Sequence, residues 1–417
     1  MLKRLTILIG ILTVSLAGAA KGDPLSWLPE GFPKGSQDGL CIRSYLTPEM
    51  GSATLDAALE RFSTRQDWEE YAALLRKRVL QGAGLDPLPK RGSLKVIRHS
   101  FRERDGYSVE NVAVESVPGY WVTGNLYRPL NGDGKAPAIL NTHGHTGMPQ
   151  NPDDWSRHGR FNPQAQIRCA ALARMGAIVF SIDMFGYGDG IEALGTDAHR
   201  NGSAMQMQIW NGLRAVDFLE SLPEVDATRI GVTGESGGGT QAFLLAALDE
   251  RIAASVPVVM VSAHFFGGCP CESGMPIHRS ADHFASNVMI AALTAPRPQL
   301  LVSDGGDWTL NTPLVEYPFA RSIYSLYDSV EKVENAHFAD EGHDYGPSKR
   351  EVMYRFFGKT FELDLSAALD SDGNIDESKV IVETPNSMKA FGANHALPAN
   401  ALRSARAVSD ALNVTRM

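Results

Sequence analysis

One ten-residue stretch, GVTGESGGGT at residues 231–240, constrains the fold more than any other. Within it, the run from Gly234 to Gly238 fits the pattern G-x-S-x-G, with Ser236 at its centre. An apolar run over residues 230–233 predicts a short buried strand before the serine, and residues 241–248 predict a helix after it. A serine on a sharp, glycine-rich turn between a strand and a helix exposes its hydroxyl, so this context indicates a nucleophile. The alternative is a glycine-rich turn with no chemical role.

Length and composition describe an ordinary globular protein. The 417 residues suffice for one large α/β domain or two smaller ones. A hydrophobic fraction of 43% and a charged fraction of 21% allow a sizeable core. The net charge of −9, without any run of lysine and arginine, argues against nucleic-acid binding.

The N-terminus has the pattern of a secretory signal peptide. Lys3 and Arg4 precede an apolar stretch over residues 5–16, and small residues follow at 17–20. The apolar stretch, about 12 residues, is shorter than the roughly 20 that a membrane-spanning helix needs. We therefore expect residues 1–20 to be removed, no stable membrane insertion afterwards, and a periplasmic or secreted protein. An uncleaved anchor is the alternative.

The remaining chain divides into three segments. Residues 21–92 form an extended lead-in followed by two short helices, predicted from apolar spacing over residues 55–80. Residues 93–363 form the predicted catalytic domain, which opens with three strands joined by turns and then alternates strands with helices. Residues 364–417 form a polar C-terminal extension. The alternation predicts an α/β fold with a mostly parallel central sheet, helices on both faces, and active residues in loops at the carboxyl ends of the strands.

Two loops after the serine supply the partners that a serine nucleophile requires. Around G-x-S-x-G serines, an acid and then a histidine follow along the chain. Asp304 and Asp307 both follow the predicted strand 299–303, and Asp307 is favoured because the two glycines before it let the chain turn first. His343 follows a late predicted strand and is favoured as the base over His337, which lies beside that strand. The expected triad is Ser236, His343 and Asp307, with the acid orienting the imidazole.

Further residues are expected to contact a bound ester. The backbone N–H groups of Gly237, directly after the serine, and of His145, in the loop after the predicted strand 136–141, are the expected oxyanion donors. The long insertion over residues 264–298 could overhang the site, and its Phe265 and Arg279 are expected substrate contacts. A structural salt bridge is an equal alternative for Arg279.

Cysteine and acidic patterns give no metal site of standard spacing. The four cysteines are Cys41, Cys169, Cys269 and Cys271, and their pairing cannot be read from the sequence. One residue separates the last two, too few for a relaxed bridge between them. A zinc set that adds His264, His278 or His283 matches no standard pattern, and residues 370–374 fail as a calcium loop in either register. We therefore expect no metal and no cofactor.

These motifs together resemble the α/β-hydrolase superfamily, and within it the acetyl xylan esterase and dienelactone-hydrolase-like group. The similarity covers roughly residues 95–360. It rests on THGHTG at 142–147, SIDMFGYGDG at 181–190, the run 215–239, GGDWT at 305–309 and EGHDYG at 341–346. It implies a serine carboxylic-ester hydrolase that deacylates esterified carbohydrate without a metal. The loop around residues 269–272, the N-terminal helices and the tail depart from the group, which leaves the substrate and the oligomeric state open.

Three alternatives to a deacylating esterase are open at this point. A glucuronoyl or feruloyl ester is the alternative substrate within the esterases. Serine peptidases of the oligopeptidase type resemble this domain but carry a large β-propeller, for which the roughly 90 residues before the sheet are too few. A non-catalytic binding module on the same fold is the third, and the presence of all three triad residue types argues against it.

Overall fold

A computed structural model describes residues 23–132, 134–145, 158–392 and 395–415 of the chain. The predicted signal peptide, residues 1–20, lies outside these described residues. Among the described residues, no helix combines the length and the apolar character needed to span a bilayer.

The described residues build one nine-stranded sheet. Its strands are β1 (Val96–Glu103), β2 (Tyr107–Val117), β3 (Tyr120–Pro129), β4 (Ala136–Thr142), β5 (Ile178–Ile182), β6 (Val225–Glu235), β7 (Ile252–Val258), β8 (Gln299–Asp304) and β9 (Val333–Phe338). Their order across the sheet is β1-β2-β3-β5-β4-β6-β7-β8-β9. The pairs from β1 to β3, and β3 with β5, are antiparallel, and every pair from β5 to β9 is parallel. The predicted α/β architecture with a mostly parallel sheet is confirmed.

The burial of each strand explains how well hydrophobic patterning in the sequence predicted it. All five residues of β5 are buried, as expected for a parallel strand covered on both faces. β6 is longer than the predicted strand over residues 230–233, because it begins at Val225 and runs to Glu235. Residues 226–229 at its start contain three polar side chains and are partly or fully exposed, so hydrophobic patterning did not detect them.

Twelve α-helices occur in the described part of the chain. They are α1 (Pro48–Leu59), α2 (Arg65–Gly82), α3 (Pro163–Arg174), α4 (Gly190–Leu194), α5 (Ala204–Ser221), α6 (Gly237–Leu248), α7 (Pro270–Ser273), α8 (Asn287–Ala291), α9 (Glu316–Ser325), α10 (Pro347–Phe361), α11 (Pro385–Met388) and α12 (Ala405–Val414). Short 3-10 helices include Gly159–Phe161 and Thr196–Arg200.

Two apolar layers cover the sheet, one on each face. The larger contains side chains of α1, α2, α5, α6, α8, α9 and α12, and the other contains side chains of α3 and α10. α6 is buried at every position from Gly237 to Ala247, which fits its nearly uninterrupted run of small and apolar residues. Gly212 of α5 lets α6 approach, since a Cβ there would lie 2.6 Å from a methyl carbon of Leu245. The predicted helices on both faces are therefore present.

The N-terminal segment contains the two predicted helices, packed on the larger apolar layer. α1 begins at Pro48, earlier than the predicted region, with Thr47 as its N-cap. α2 begins with a reciprocal capping box between Thr64 and Asp67. Trp68 of α2 is among the largest fully buried side chains of the core.

The C-terminal extension docks on the sheet rather than trailing from it. Asn111 of β2 donates through Nδ2 to the backbone carbonyls of Ser387 (2.9 Å) and Lys389 (2.8 Å). Phe391 packs with Ala113 in a small separate cluster. The acidic run at residues 370–374 forms a tight turn in which the Asp370 carboxylate accepts backbone N–H groups.

Candidate active site

The serine of the G-x-S-x-G motif lies on a strained turn between β6 and α6. Ser236 has φ 55° and ψ −123°, a conformation that L-residues rarely adopt. The flanking glycines permit close packing against β4: a Cβ on Gly234 would lie 2.2 Å from Oγ1 of Thr142, and one on Gly238 would lie 2.6 Å from its carbonyl oxygen. The predicted strand, turn and helix are thus present, and the glycines have a steric reason.

The two residues expected to supply oxyanion donors, Gly237 and His145, lie close together next to Ser236. Gly237 is the first residue of α6, so its N–H has no partner within the helix. His145 follows β4, and its ring packs against Gly237, where an added Cβ would lie 2.6 Å from Cε1 of His145. The two residues expected to stabilise an oxyanion are therefore neighbours.

Asp307 and His343 meet at the carboxyl ends of β8 and β9. Oδ2 of Asp307 lies 2.5 Å from Nδ1 of His343. The other oxygen of the carboxylate accepts two hydrogen bonds from Thr309, from its N–H and its hydroxyl, both at 2.6 Å. Asp307 is thereby held in one orientation, and its contact with Nδ1 leaves Nε2 of His343 for another partner. Thr309 was not singled out in the sequence, because its role depends on the turn that follows β8.

The competing residues have other partners. Asp304 is fully buried and pairs with Nζ of Lys349 at 3.1 Å. The same ammonium donates to the carbonyl of Gly342 at 2.6 Å, directly before His343. His337 lies on β9 and bonds Oγ of Ser303 through Nδ1 at 2.9 Å. Asp304 and Lys349 therefore support the loop that carries the histidine.

Ser236 and His343 line one cavity of about 410 Å³. Its other lining residues are Gly144, His145, Asn162, Gln164, Glu235, Asp344 and Tyr345. Within the described residues Oγ of Ser236 makes no direct hydrogen bond to His343, as is common in ligand-free hydrolases. A larger cavity of about 650 Å³ lies under the C-terminal extension, away from these groups. We therefore take the cavity of about 410 Å³, which contains Ser236 and His343, as the candidate active site.

A buried ion pair supports the nucleophile turn, and sequence reasoning missed it. Glu235, directly before the serine, pairs with Arg168 of α3 at 2.6 Å. Nε of Arg168 also donates to the side chain of Asn141 at 2.6 Å. The two charges are 67 residues apart in the chain. The charge of Arg168, placed between the apolar Ile167 and Cys169, was the available signal, but its partner could not be read from it.

The two residues expected to contact substrate have different surroundings. Phe265 stacks on Trp308 with ring centroids 3.8 Å apart, and Trp308 lies 4.7 Å from the ring of His343. Arg279 instead donates to the carbonyl of Pro33 at 2.5 Å and to the hydroxyl of Tyr45 at 3.0 Å. Arg279 does not line the cavity at Ser236. Both of these partners belong to the N-terminal lead-in.

Four side chains beside the site could hold a metal ion. The four cysteines are free thiols, and two of them, Cys269 and Cys271, converge with His145 and His199. The candidate ligand atoms of these four residues all lie within 4.8 Å of one another. The histidines considered with the two cysteines in the sequence, His264, His278 and His283, are not in this group. The spacing of residues in the sequence could not identify this group, because three separate loops supply its candidate ligands.

The sheet order, the serine turn after β6 and the acid and histidine after β8 and β9 define an α/β-hydrolase. The family model described as acetyl xylan esterase (AXE1) matches residues 95–266. The solved structure of Methylesterase BT1017 is 40% identical, superimposes with a TM-score of 0.79, and the match covers 90% of this chain and 81% of that chain. The protein therefore belongs to the same family of α/β-hydrolases as that methylesterase, resembles the acetyl xylan esterase group over residues 95–266, and hydrolyses carboxylic esters.

Sequence relatives agree with this family. Putative hydrolase YtaP of Bacillus subtilis (strain 168) is 28% identical over 233 residues, covering 52% of this chain and 75% of its own length. 4-O-methyl-glucuronoyl methylesterase 1 of Wolfiporia cocos (strain MD-104) is 27% identical over 205 residues, covering 41% of this chain. That match spans about half of the fungal protein, 48% of its length.

Proposed function

We propose that the protein is a secreted serine hydrolase that removes ester groups from carbohydrate by a Ser236–His343–Asp307 triad. The observation that carries this proposal is the 2.5 Å contact between Asp307 and His343, made at the mouth of the cavity that Ser236 also lines. The N-terminal pattern of residues 1–20 supports export.

The roles follow from the chemistry of each group. His343 takes the proton of the Ser236 hydroxyl as the oxygen attacks the ester carbonyl, and then delivers it to the leaving alcohol. Asp307 fixes the tautomer of the imidazole and stabilises its charged form. The N–H groups of Gly237 and His145 stabilise the negative charge on the carbonyl oxygen. His343 then takes a proton from water, whose oxygen attacks the acyl carbonyl; the bond to Oγ of Ser236 breaks, Oγ recovers the proton from His343, and the carboxylic acid leaves.

The aromatic pair next to the histidine shapes the alcohol side of this site. Trp308 packs against the ring of His343, and Phe265 stacks on Trp308. We assign Phe265 to holding that wall in place and Arg279 to the N-terminal scaffold.

The proposed leading substrate is an acyl ester of a sugar, typically acetyl. A second candidate, the methyl ester of a uronic acid, is favoured by two observations. Two of the compared proteins are named methylesterases. A neighbouring cavity of about 420 Å³ shares His145 with the cavity at Ser236 and is also lined by the exposed Arg43 and Arg200. Two guanidinium groups suit the free carboxylates of neighbouring uronate units.

An ester panel tests the activity and separates the two substrates. Acetylated xylan releases acetate, and methyl-esterified polyuronate releases methanol, so the product identifies the bond that is cut. Ser236→Ala should lower the rate on the preferred ester at least about 10⁴-fold with an unchanged melting temperature. Retained activity in that variant would refute the nucleophile. Amide cleavage at a comparable rate would favour a peptidase.

The arginine pair provides a sharper test of the uronate candidate. Arg43→Gln with Arg200→Gln should raise KM on polyuronate methyl esters several-fold and leave acetylated xylan unaffected. Arg406→Gln, whose side chain is 91% exposed on α12, is the matched control. Equal kinetics of the double variant and the control on polyuronate would rule out a role for this cavity.

A further inference from the structure

Three loops bring two cysteines and two histidines together behind the candidate active site. His145 lies in the loop after β4, His199 in the 3-10 helix Thr196–Arg200, and Cys269 and Cys271 at the start of α7. Cys271 and His199 are almost fully buried, at 1% and 2% exposure. These four side chains, all suitable ligands for a soft or borderline metal ion, come together only when the chain is folded.

The distances within this cluster suit one tetrahedral ion. Nε2 of His145 lies 3.0 Å from Nε2 of His199 and 3.0 Å from Sγ of Cys271. Zinc–sulfur bonds of about 2.3 Å and zinc–nitrogen bonds of about 2.0 Å place neighbouring ligand atoms of a tetrahedron about 3.3 to 3.8 Å apart. The four ligand atoms, all within 4.8 Å of one another, thus need only small adjustments around a central ion.

The surroundings of Nδ1 in both histidines leave Nε2 available for a cation. Nδ1 of His199 lies 2.7 Å from the carbonyl oxygen of Phe185, to which it can only donate. Nδ1 of His145 faces Oε1 of the buried Glu272 at 3.6 Å. The bond to Phe185 leaves an unprotonated Nε2 on His199, which lies 3.0 Å from Nε2 of His145, so a proton or a metal ion must lie between these two nitrogens. Outer-shell carbonyl and carboxylate partners of this kind orient metal-binding histidines.

The charge and access of the cluster also suit a cation. A thiolate ligand places negative charge at the cluster, because the thiolate is the form of cysteine that binds a metal. Glu272 adds a second negative charge and accepts the N–H groups of Gly268 (2.7 Å) and Cys269 (3.1 Å). The cavity lined by Arg43, His199 and Cys269 provides a path to the cluster from solvent.

We propose that Cys269, Cys271, His145 and His199 bind one divalent zinc-type ion in a tetrahedral S₂N₂ site. Four protein ligands leave no open position, so the ion is structural rather than catalytic. This proposal replaces the expectation from spacing that the chain binds no metal.

The site would also fix the oxyanion loop, an extension that rests on the proposed function. The ring of His145 packs on Gly237. A metal bound at Nε2 of His145 would therefore fix the positions of the two proposed oxyanion donors relative to each other. Loss of the ion should then lower kcat more than it changes KM, while metal content reports on the site independently of any activity.

Metal analysis of the full chain tests the proposal directly. Protein purified without chelator should contain about one zinc per chain by elemental mass spectrometry, and cobalt exchange should give thiolate-to-cobalt charge-transfer absorption typical of a tetrahedral site. His199→Gln and the double variant Cys269→Ser with Cys271→Ser should lose the metal. Cys41→Ser and His283→Gln are matched controls, since both residues are buried away from the cluster, and should retain it.

A second measurement covers variants that fail to fold. In the native chain, a thiol reagent should modify Cys269 and Cys271 only after a chelator is added, as peptide mass spectrometry can show. A Cys269–Cys271 disulfide in native protein, or two reactive thiols together with no bound metal after zinc incubation, would overturn the proposal. Loss of esterase activity in Ser236→Ala with zinc retained would separate failure of one proposal from failure of the other.

Discussion

At the scale of single residues, two aspartates three positions apart have opposite surroundings. Asp307 accepts hydrogen bonds from Thr309 and His343. Asp304 is buried with Lys349, whose ammonium also holds the carbonyl before His343. One carboxylate thus faces the imidazole and the other supports its loop, a division that local sequence does not reveal.

This division predicts contrasting variants. Asp307→Asn should lower kcat about 10³- to 10⁴-fold with little change in melting temperature, because the imidazole loses its orienting acceptor. Asp304→Asn should instead destabilise the fold by about 3 kcal/mol, because Lys349 loses a buried partner, and the folded fraction should retain most of its kcat. Steady-state kinetics and thermal unfolding on both variants measure the contrast. The reverse pattern would assign the acid to Asp304.

A buried acid on α9 predicts pH-dependent stability. Burial raises the pKa of Glu316 to about 7, and its Oε1 accepts the N–H of Ala263 at 2.8 Å. Because the folded pKa lies above that of the unfolded chain, the contribution of Glu316 to stability is present below about pH 4.5 and is lost as pH rises through about 7.

Replacing this acid with its neutral analogue should remove the dependence. Glu316→Gln should be more stable than the parent at pH 8, by up to about 3 kcal/mol, and similar to it at pH 4. Denaturant unfolding across this pH range measures the difference, and the exposed Glu331→Gln controls for loss of a charge. A Glu316→Gln variant that is less stable at pH 8 would contradict the burial argument.

At the scale of elements, the C-terminal extension shows how a polar segment joins a core. Val408 and Leu412 of α12 are fully buried within the larger apolar layer. The buried stripe of α12 is narrow, so the polar residues around it obscured the docking in the sequence. The helix covers an apolar surface next to β2 and thereby completes that layer.

Two substitutions by alanine on this helix should have very different effects on the free energy of unfolding. Leu412→Ala should cost about 2 to 5 kcal/mol of the free energy of unfolding, the usual range for a buried leucine. Val414→Ala, at a position that is 64% exposed, should change it by less than about 0.5 kcal/mol. Chemical denaturation compares them, and equal effects would indicate that α12 is not docked in solution.

At the scale of the whole molecule, function depends on loops gathered at one edge of the sheet. β4, β6, β8 and β9 are parallel, so the loops carrying His145, Ser236, Asp307 and His343 emerge on the same side. The proposed metal site lies at this edge too and joins the loop after β4 to the insertion over residues 264–298.

Metal removal should therefore lower the stability of the folded chain. A ligand that binds only the folded state stabilises it in proportion to its affinity and concentration. A chelator should lower the melting temperature of the parent chain by a few degrees, since the shift is roughly 2–4 °C per kcal/mol for a domain of about 150–250 residues and smaller for a larger cooperative unit. Added zinc should restore it. The double cysteine variant should melt at the same temperature with and without chelator, and a parent chain insensitive to chelator would count against the site.

The sequence by itself determined the order of elements, the parallel sheet and the positions of the nucleophile, acid and base candidates. Those features depend on local signals: apolar runs, glycine-rich turns, and chemistry placed just after strands. Only the tertiary structure decided which distant groups meet. The pair of Glu235 with Arg168, the support of the His343 loop by Lys349 and the convergence of His199 with Cys271 each join residues from separate elements. Side-chain partners across such distances are set by how helices and loops pack on the sheet, and no local pattern encodes that packing.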